Sequence, residues 1–174
     1  LRKCLNWDIH DLDRVLTGLM GNVPPPDGEY ASAMRTALVN LAHVLEIEAR
    51  LEGGLTPEEI VLLWSDIATT GIDCYYDRLF LVDGASGRDP AFSRAGGGVL
   101  TDQHARLVDH LPALQQALRL GFDDLDAVID VTGLRGATLS IEVVSKLQRP
   151  VLLARGLGLT VPQTLALLRC TSLD

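Results

Sequence analysis

Apolar residues recur three or four apart along most of the chain, the spacing that lines one face of a helix. The pattern predicts a first helix over Ile9–Leu19, stopped by Gly21-Asn22-Val23-Pro24-Pro25-Pro26-Asp27-Gly28, where prolines and glycines forbid continuation. A longer helix is expected over residues 29–52. Tyr30, Met34, Leu38, Leu41 and Leu45 would share its buried face, with Ala31, Ala37, Ala42 and Ala49 adding propensity. Gly53-Gly54 ends it, and a new helix should run from Pro57 to about Thr69. From 71 to 100 the periodicity fails, apart from a short turn around Tyr75–Phe80, so one long loop is expected there. Beyond it, residues 102–111 and 112–120 read as two helical pieces broken at Pro112, followed by helices over 123–131, 141–157 and 161–169. Within 141–157, Val144, Leu147, Val151 and Ala154 would be the buried face, and Pro150 would kink the helix.

Helix-start signals recur along the chain. In Leu55-Thr56-Pro57-Glu58-Glu59-Ile60, Thr56 is the N-cap, Pro57 takes the first helical position, Glu59 closes a capping box, and Leu55 with Ile60 forms a hydrophobic staple. Trp7 and Leu12 flank Asp8, with Asp11 in the third position; Leu120 and Leu125 flank Gly121, with Asp124; Leu139 and Val144 flank Ser140. Thr160 and Gln163 keep the box, with the next Leu one place further on, at Leu165. So many fixed starting angles fit a scaffold of stacked helical hairpins. The copies are unevenly spaced, which argues against a strict repeat. The expectation is an all-α single domain over 1–174: an irregular, solenoid-like array of stacked short helices and helical hairpins, with one long loop over 71–100.

Composition narrows the possible partners. A chain of 174 residues, 47% hydrophobic, can form one compact domain, and with 5% aromatics its core must be aliphatic. The net charge of −8 argues against nucleic acid and against anionic membrane surfaces. Cys4, Cys74 and Cys170 are odd in number and far apart, giving neither a disulfide framework nor a zinc site. No signal peptide is visible, and no run approaches the roughly 18 apolar residues of a membrane span. Helical-looking sequence at both ends suggests a piece of a longer protein.

The search for chemistry ends nearly empty. Ser86 in Gly84-Ala85-Ser86-Gly87-Arg88 lacks the second glycine and the preceding strand of a nucleophile elbow. Asp83, Ser86 and Asp89 do not follow the EF-hand order of calcium ligands. His10, His43, His104 and His110 show no metal spacing, and each reads as solvent-facing or singly hydrogen-bonded. Asp11 with Asp13, and Asp123, Asp124 and Asp126, sit in first helical turns, where the helix dipole accounts for them. Gly96-Gly97-Gly98 lacks the Lys-Ser/Thr of a phosphate loop. No catalytic residue, metal or cofactor is expected.

Residues 55–82, LTPEEIVLLWSDIATTGIDCYYDRLFLV, followed by Asp89-Pro90-Ala91-Phe92, resemble the A subunits of insecticidal toxin complexes. In that family a Thr-Pro-Glu-Glu helix with a Trp-x-Asp-Ile core leads into Tyr-x-x-Leu-Phe and Asp-Pro-x-Phe. Residues 110–130 and 139–168 are similar to the same family, and the resemblance covers about two thirds of the chain. Gln148 and Pro150 depart from it, standing where an aromatic and a helix former are expected.

The resemblance implies a segment of the α-helical shell of a very large, secreted or cell-surface subunit that forms a pentamer around a translocation channel. Its partners would be other domains of that subunit, neighbouring protomers and a host-surface receptor. The neuraminidase-like label carried by the family finds no Ser-x-Asp-x-Gly-x-Thr-Trp box here. Two other classes stand beside this reading: a free-standing helical interaction module with a groove for a partner helix, and a hydrolase built on the 71–100 loop around Ser86.

Overall fold

The computed structural model describes residues 5, 7–20, 26, 28–51, 53–81, 89–94, 99–100, 102 and 104–171. Among them the fold is all-α, with eight helices and no strand: α1 (Ile9–Leu19), α2 (Tyr30–Arg50), α3 (Pro57–Val61), α4 (Tyr75–Phe80), α5 (Leu111–Leu118), α6 (Phe122–Thr132), α7 (Ile141–Gly156) and α8 (Val161–Thr171).

The start signals act as caps. At α3 the box is reciprocal: the Glu59 amide donates to Thr56 Oγ1 at 3.3 Å, and the Thr56 amide donates to Glu59 Oε2 at 3.0 Å. The staple residues Leu55 and Ile60 are both buried. Thr160 and Gln163 repeat the box at α8, with amide bonds of 2.9 and 3.4 Å. Ser140 accepts from the Val143 amide at 3.2 Å, and Asp8 accepts from the His10 amide at 3.0 Å. Gly121 starts α6 with no side-chain cap.

Several expectations are corrected. The helix begun at Thr56 ends at Val61 and does not continue to Thr69. The chain goes on as a tight turn, the Leu63 and Trp64 amides donating to the Ile60 and Val61 carbonyls at 3.1 and 3.2 Å. Beyond it, Arg149 of α7 donates to the carbonyls of Trp64 and Ser65 at 3.4 and 3.2 Å, and the Ile67 amide donates to Ser145 Oγ at 2.9 Å.

Within 71–100, α4 stands where the short turn around Tyr75–Phe80 is expected, and a 3-10 turn over Pro90–Phe92 is added to it, while residues 82–88 and 95–98 lie outside the described part. The expected helix over 102–111 is reduced to a 3-10 turn at Leu107–His110. Residues 105–107 are instead held extended beside 137–139, with the Leu139 amide donating to the Ala105 carbonyl at 2.7 Å.

On α2 the buried residues are Ala37, Leu41 and Val44, while Tyr30 and Leu38 are exposed. α2 packs on both α1 and α3. On α7, Val144, Leu147 and Ala154 are buried, but Leu152 replaces the half-buried Val151 in the core, and the helix continues through a buried Pro150.

Two groups of helices form the body. α1, α2 and α3 pack on one another, as do α6, α7 and α8, and α4 packs on α5. A single hydrophobic cluster joins them, with Val15 and Val44 from the first group, Tyr76 and Phe80 from α4, Leu114 from α5, and Val128 and Leu147 from the last group. The groups also touch through backbone. The Gly53 amide donates to the Gly156 carbonyl at 3.1 Å, and a Cβ on Gly53 would fall 1.6 Å from the Arg155 carbonyl oxygen.

Two stability predictions follow from these contacts. Thr56→Ala, measured by chemical denaturation, should lose about 1 kcal/mol through its cap, whereas Thr69→Ala should change far less; equal shifts would contradict the capping account. Gly53→Ala should lose roughly 2–3 kcal/mol because the α7 end has to move away, and a neutral result would show that this contact is not tight.

Candidate functional site

The densest polar cluster in the fold gathers around the first turn of α3, between α1, α4 and α7. Pro57 and the capping box fix that turn, so Glu58 and Glu59 leave it in set directions. Glu59 Oε1 pairs with Arg155 of α7 and lies 3.5 Å from the Tyr75 hydroxyl of α4. Gln148, about two turns earlier on α7, donates through Nε2 to the Tyr75 oxygen at 3.0 Å. Glu58 Oε2 pairs with Arg78 of α4 and lies 3.9 Å from Arg14 of α1. Arg14 in turn donates to the Ile72 carbonyl at 3.2 Å, and the Arg78 guanidinium stands 5.2 Å from the centre of the Tyr75 ring. Both glutamates are mostly buried, with side-chain exposures of 12% for Glu58 and 15% for Glu59. Two cavities of about 280 and 270 Å³ open against the cluster, sharing Glu59, Tyr75 and Arg78 as walls.

The electrostatics hold the cluster ionised. Burial pushes the Glu59 carboxyl up, but the Thr56 amide and the Arg155 guanidinium outweigh it and leave the carboxyl below its usual range. Burial, aided by the neighbouring Glu59 charge, pushes the Tyr75 hydroxyl up to about 12. Burial works against the Arg78 charge, yet Glu58 and Asp73 raise its pKa above the ordinary value. A general base works best with a pKa near the working pH. Glu59, stabilised as an anion by three partners, is a poor base, and Tyr75 stays a phenol. The cluster is therefore built to tie four helices together.

A second polar cluster holds the Tyr-x-x-Leu-Phe and Asp-Pro-x-Phe residues. The Tyr76 hydroxyl donates to the Phe92 carbonyl at 2.8 Å, and the Phe80 and Phe92 rings stack with centres 4.3 Å apart. Arg94 donates to Asp77 Oδ1 at 2.7 Å and to the Thr69 carbonyl at 2.6 Å. Asp89 caps the 3-10 turn through the Ala91 amide at 3.0 Å and reaches His110 Nδ1 at 2.8 Å. Burial raises the Cys74 thiol and the Tyr76 hydroxyl above their ordinary values.

The residues weighed from sequence are scattered. Ser86, Asp83, Cys4 and Gly96-Gly97-Gly98 lie outside the described residues. His10, His43 and His104 are exposed on separate elements, and His110 is held by Asp89. Asp11 lies 3.6 Å from Arg14, and Arg135 bridges Asp126 and Asp130 at 2.8 and 2.6 Å. Among the described residues no group of three or more His, Cys, Asp or Glu could hold a metal ion. Tyr75 and Arg78 of α4 fall inside the resembling segment 55–82, but Gln148 and Arg155 lie far along the chain in α7, so no local spacing shows that the four converge. The one available signal was Gln148, a polar residue on an apolar helix face. No family model, curated protein or solved structure matches the chain.

The lowered Glu59 pKa has a definite pH signature. A carboxylate whose folded pKa lies below its unfolded value stabilises the fold above the unfolded value, near 4.5, and loses that contribution as pH falls through the folded pKa. Melting temperature should therefore drop in acid, and Glu59→Gln should start lower at neutral pH and fall less steeply. Parallel curves for the two proteins would contradict the assignment.

Proposed function

We propose that the chain is a structural segment of the α-helical shell of a large A subunit of the insecticidal-toxin-complex type, a stacked, solenoid-like array that scaffolds a translocation channel. It carries no enzymatic activity, and its partners are other domains of the same secreted or cell-surface-associated subunit, neighbouring protomers and a host-surface receptor. One observation carries the reading: the residues of the resembling motifs are used on the chain itself. Thr56 and Glu59 close a cap, Asp66 pairs with Arg149 at 3.3 Å, Ile67 docks on Ser145, Tyr76 and Phe80 hold Phe92 against α4, and Asp89 caps the 3-10 turn and reaches His110. A motif whose residues cap and pack within the chain suits a scaffold.

A specific feature favours the second reading, a free-standing helical interaction module. An open cavity of about 400 Å³ lies between Leu63, just past α3, and Pro150, Leu153 and Leu168 of α7 and α8, an apolar lining that suits a helix's apolar face. Electron microscopy of the natural gene product separates the two. The shell reading predicts a multi-protomer particle with these helices in its wall; a lone 18.8 kDa monomer would contradict it.

The channel itself is assigned elsewhere. No single described helix is long and apolar enough to cross a membrane, although α7 and α8 together pass on length and composition while bent by 108°. With a net charge of −8, the chain should release no dye from liposomes at pH of about 5, 7 or 10, values that span the titration of His and Lys. Release that scales with protein concentration would overturn that assignment.

A further inference from the structure

α2 is the longest helix described, yet of its 21 residues only Ala37, Leu41 and Val44 are buried. Beside that buried row runs a second one: Ala31, Arg35, Leu38, Ala42, Leu45 and Ala49 follow at steps of four and three residues, the spacing of a helix–helix seam. None of them belongs to the hydrophobic core. Leu45 is half-buried and the others are exposed, Leu38 by 40% and its neighbour Val39 by 55%. The row is apolar apart from Arg35.

The pattern of this seam names what covers it. Turned end for end about residue 40, the midpoint of Tyr30–Arg50, the row is complementary to itself. Leu38 of one copy then falls opposite Ala42 of the other, and Ala31 opposite Ala49, so that large residues meet small ones. The same rotation sets Arg35 opposite Leu45 and beside Glu46 of the second copy, and the two-fold makes that ion pair twice. Both charges are available. The exposed Arg35 guanidinium pairs with no described residue of its own chain, and Glu46 gives Oε1 to the exposed Arg50 at 2.6 Å, which leaves Oε2. A parallel pair would instead set Arg35 against Arg35, like charge against like.

We propose that two copies of this chain pair antiparallel through α2, a two-fold contact that goes beyond the scaffold reading and does not rest on it. One helix pair is a small interface, so the dimer is weak and depends on concentration. In sedimentation equilibrium from about 1 µM to about 1 mM, the average mass should climb from one chain of 18.8 kDa toward two. Leu38→Lys should hold it at one chain throughout, with an unchanged circular-dichroism spectrum. Arg35→Glu and Glu46→Arg, both at exposed positions, should each weaken pairing roughly tenfold, because the symmetry counts each change twice. The double variant Arg35→Glu/Glu46→Arg should recover most of the loss, and this comparison serves if Leu38→Lys does not fold. A chain that stays monomeric over the whole range, a dimer indifferent to Leu38→Lys, or a double variant no better than the single ones would each overturn the proposal.

Discussion

Glu59 is asked to do three things by three parts of the chain. One carboxylate oxygen closes the cap of α3 on the Thr56 amide, and the other takes Arg155 from α7 and lies within reach of the Tyr75 hydroxyl on α4. A mostly buried carboxylate is costly unless it is paired and hydrogen-bonded, so the position of α3 is coupled to the positions of both partners. Next to it Glu58 repeats the arrangement with Arg78 and Arg14, bringing in α1. Hydrophobic burial supplies most of the driving force for folding, but it is not directional. The two adjacent glutamates supply direction, and they act where the two helix groups meet. Gly53 and Gly156 complete the junction by letting backbone touch backbone.

Local signals were legible wherever the physics is local. The caps at Asp8, Thr56, Ser140 and Thr160 are short-range competitions for orphan amides, and each can be read within a few residues. Boundaries of α1, α6 and α7 follow for the same reason. What the sequence conceals is tertiary. α3 gives way at Val61 to a tight turn, and Arg149 and Ser145, about eighty residues away, hold the chain that follows it. The turned face of α2, with Ala37 buried and Leu38 exposed, is a tertiary outcome that a ranking by hydrophobicity cannot see. The polar cluster was illegible because Glu59, Tyr75, Gln148 and Arg155 converge only once the chain has folded.

The same logic frames the functional reading. Motif residues that look conspicuous in sequence, such as Tyr76, Phe80 and Phe92, are occupied by packing and hydrogen bonds within the chain. Three buried polar atoms, Glu58 Oε1, Gln148 Oε1 and Arg149 Nε, have no hydrogen-bond partner among the described residues.

The central claim is that the two helix groups form one cooperative unit joined at the α3–α7 junction. Amide hydrogen exchange tests it most directly, because the Gly53 and Ile67 amides bond across that junction, to the Gly156 carbonyl and to Ser145. If the groups open only together, both amides should exchange with the same opening free energy as Val44 in α2 and Val128 in α6. Rapid exchange at Gly53 and Ile67, with Val44 and Val128 still protected, would show that the halves part independently and would contradict the account.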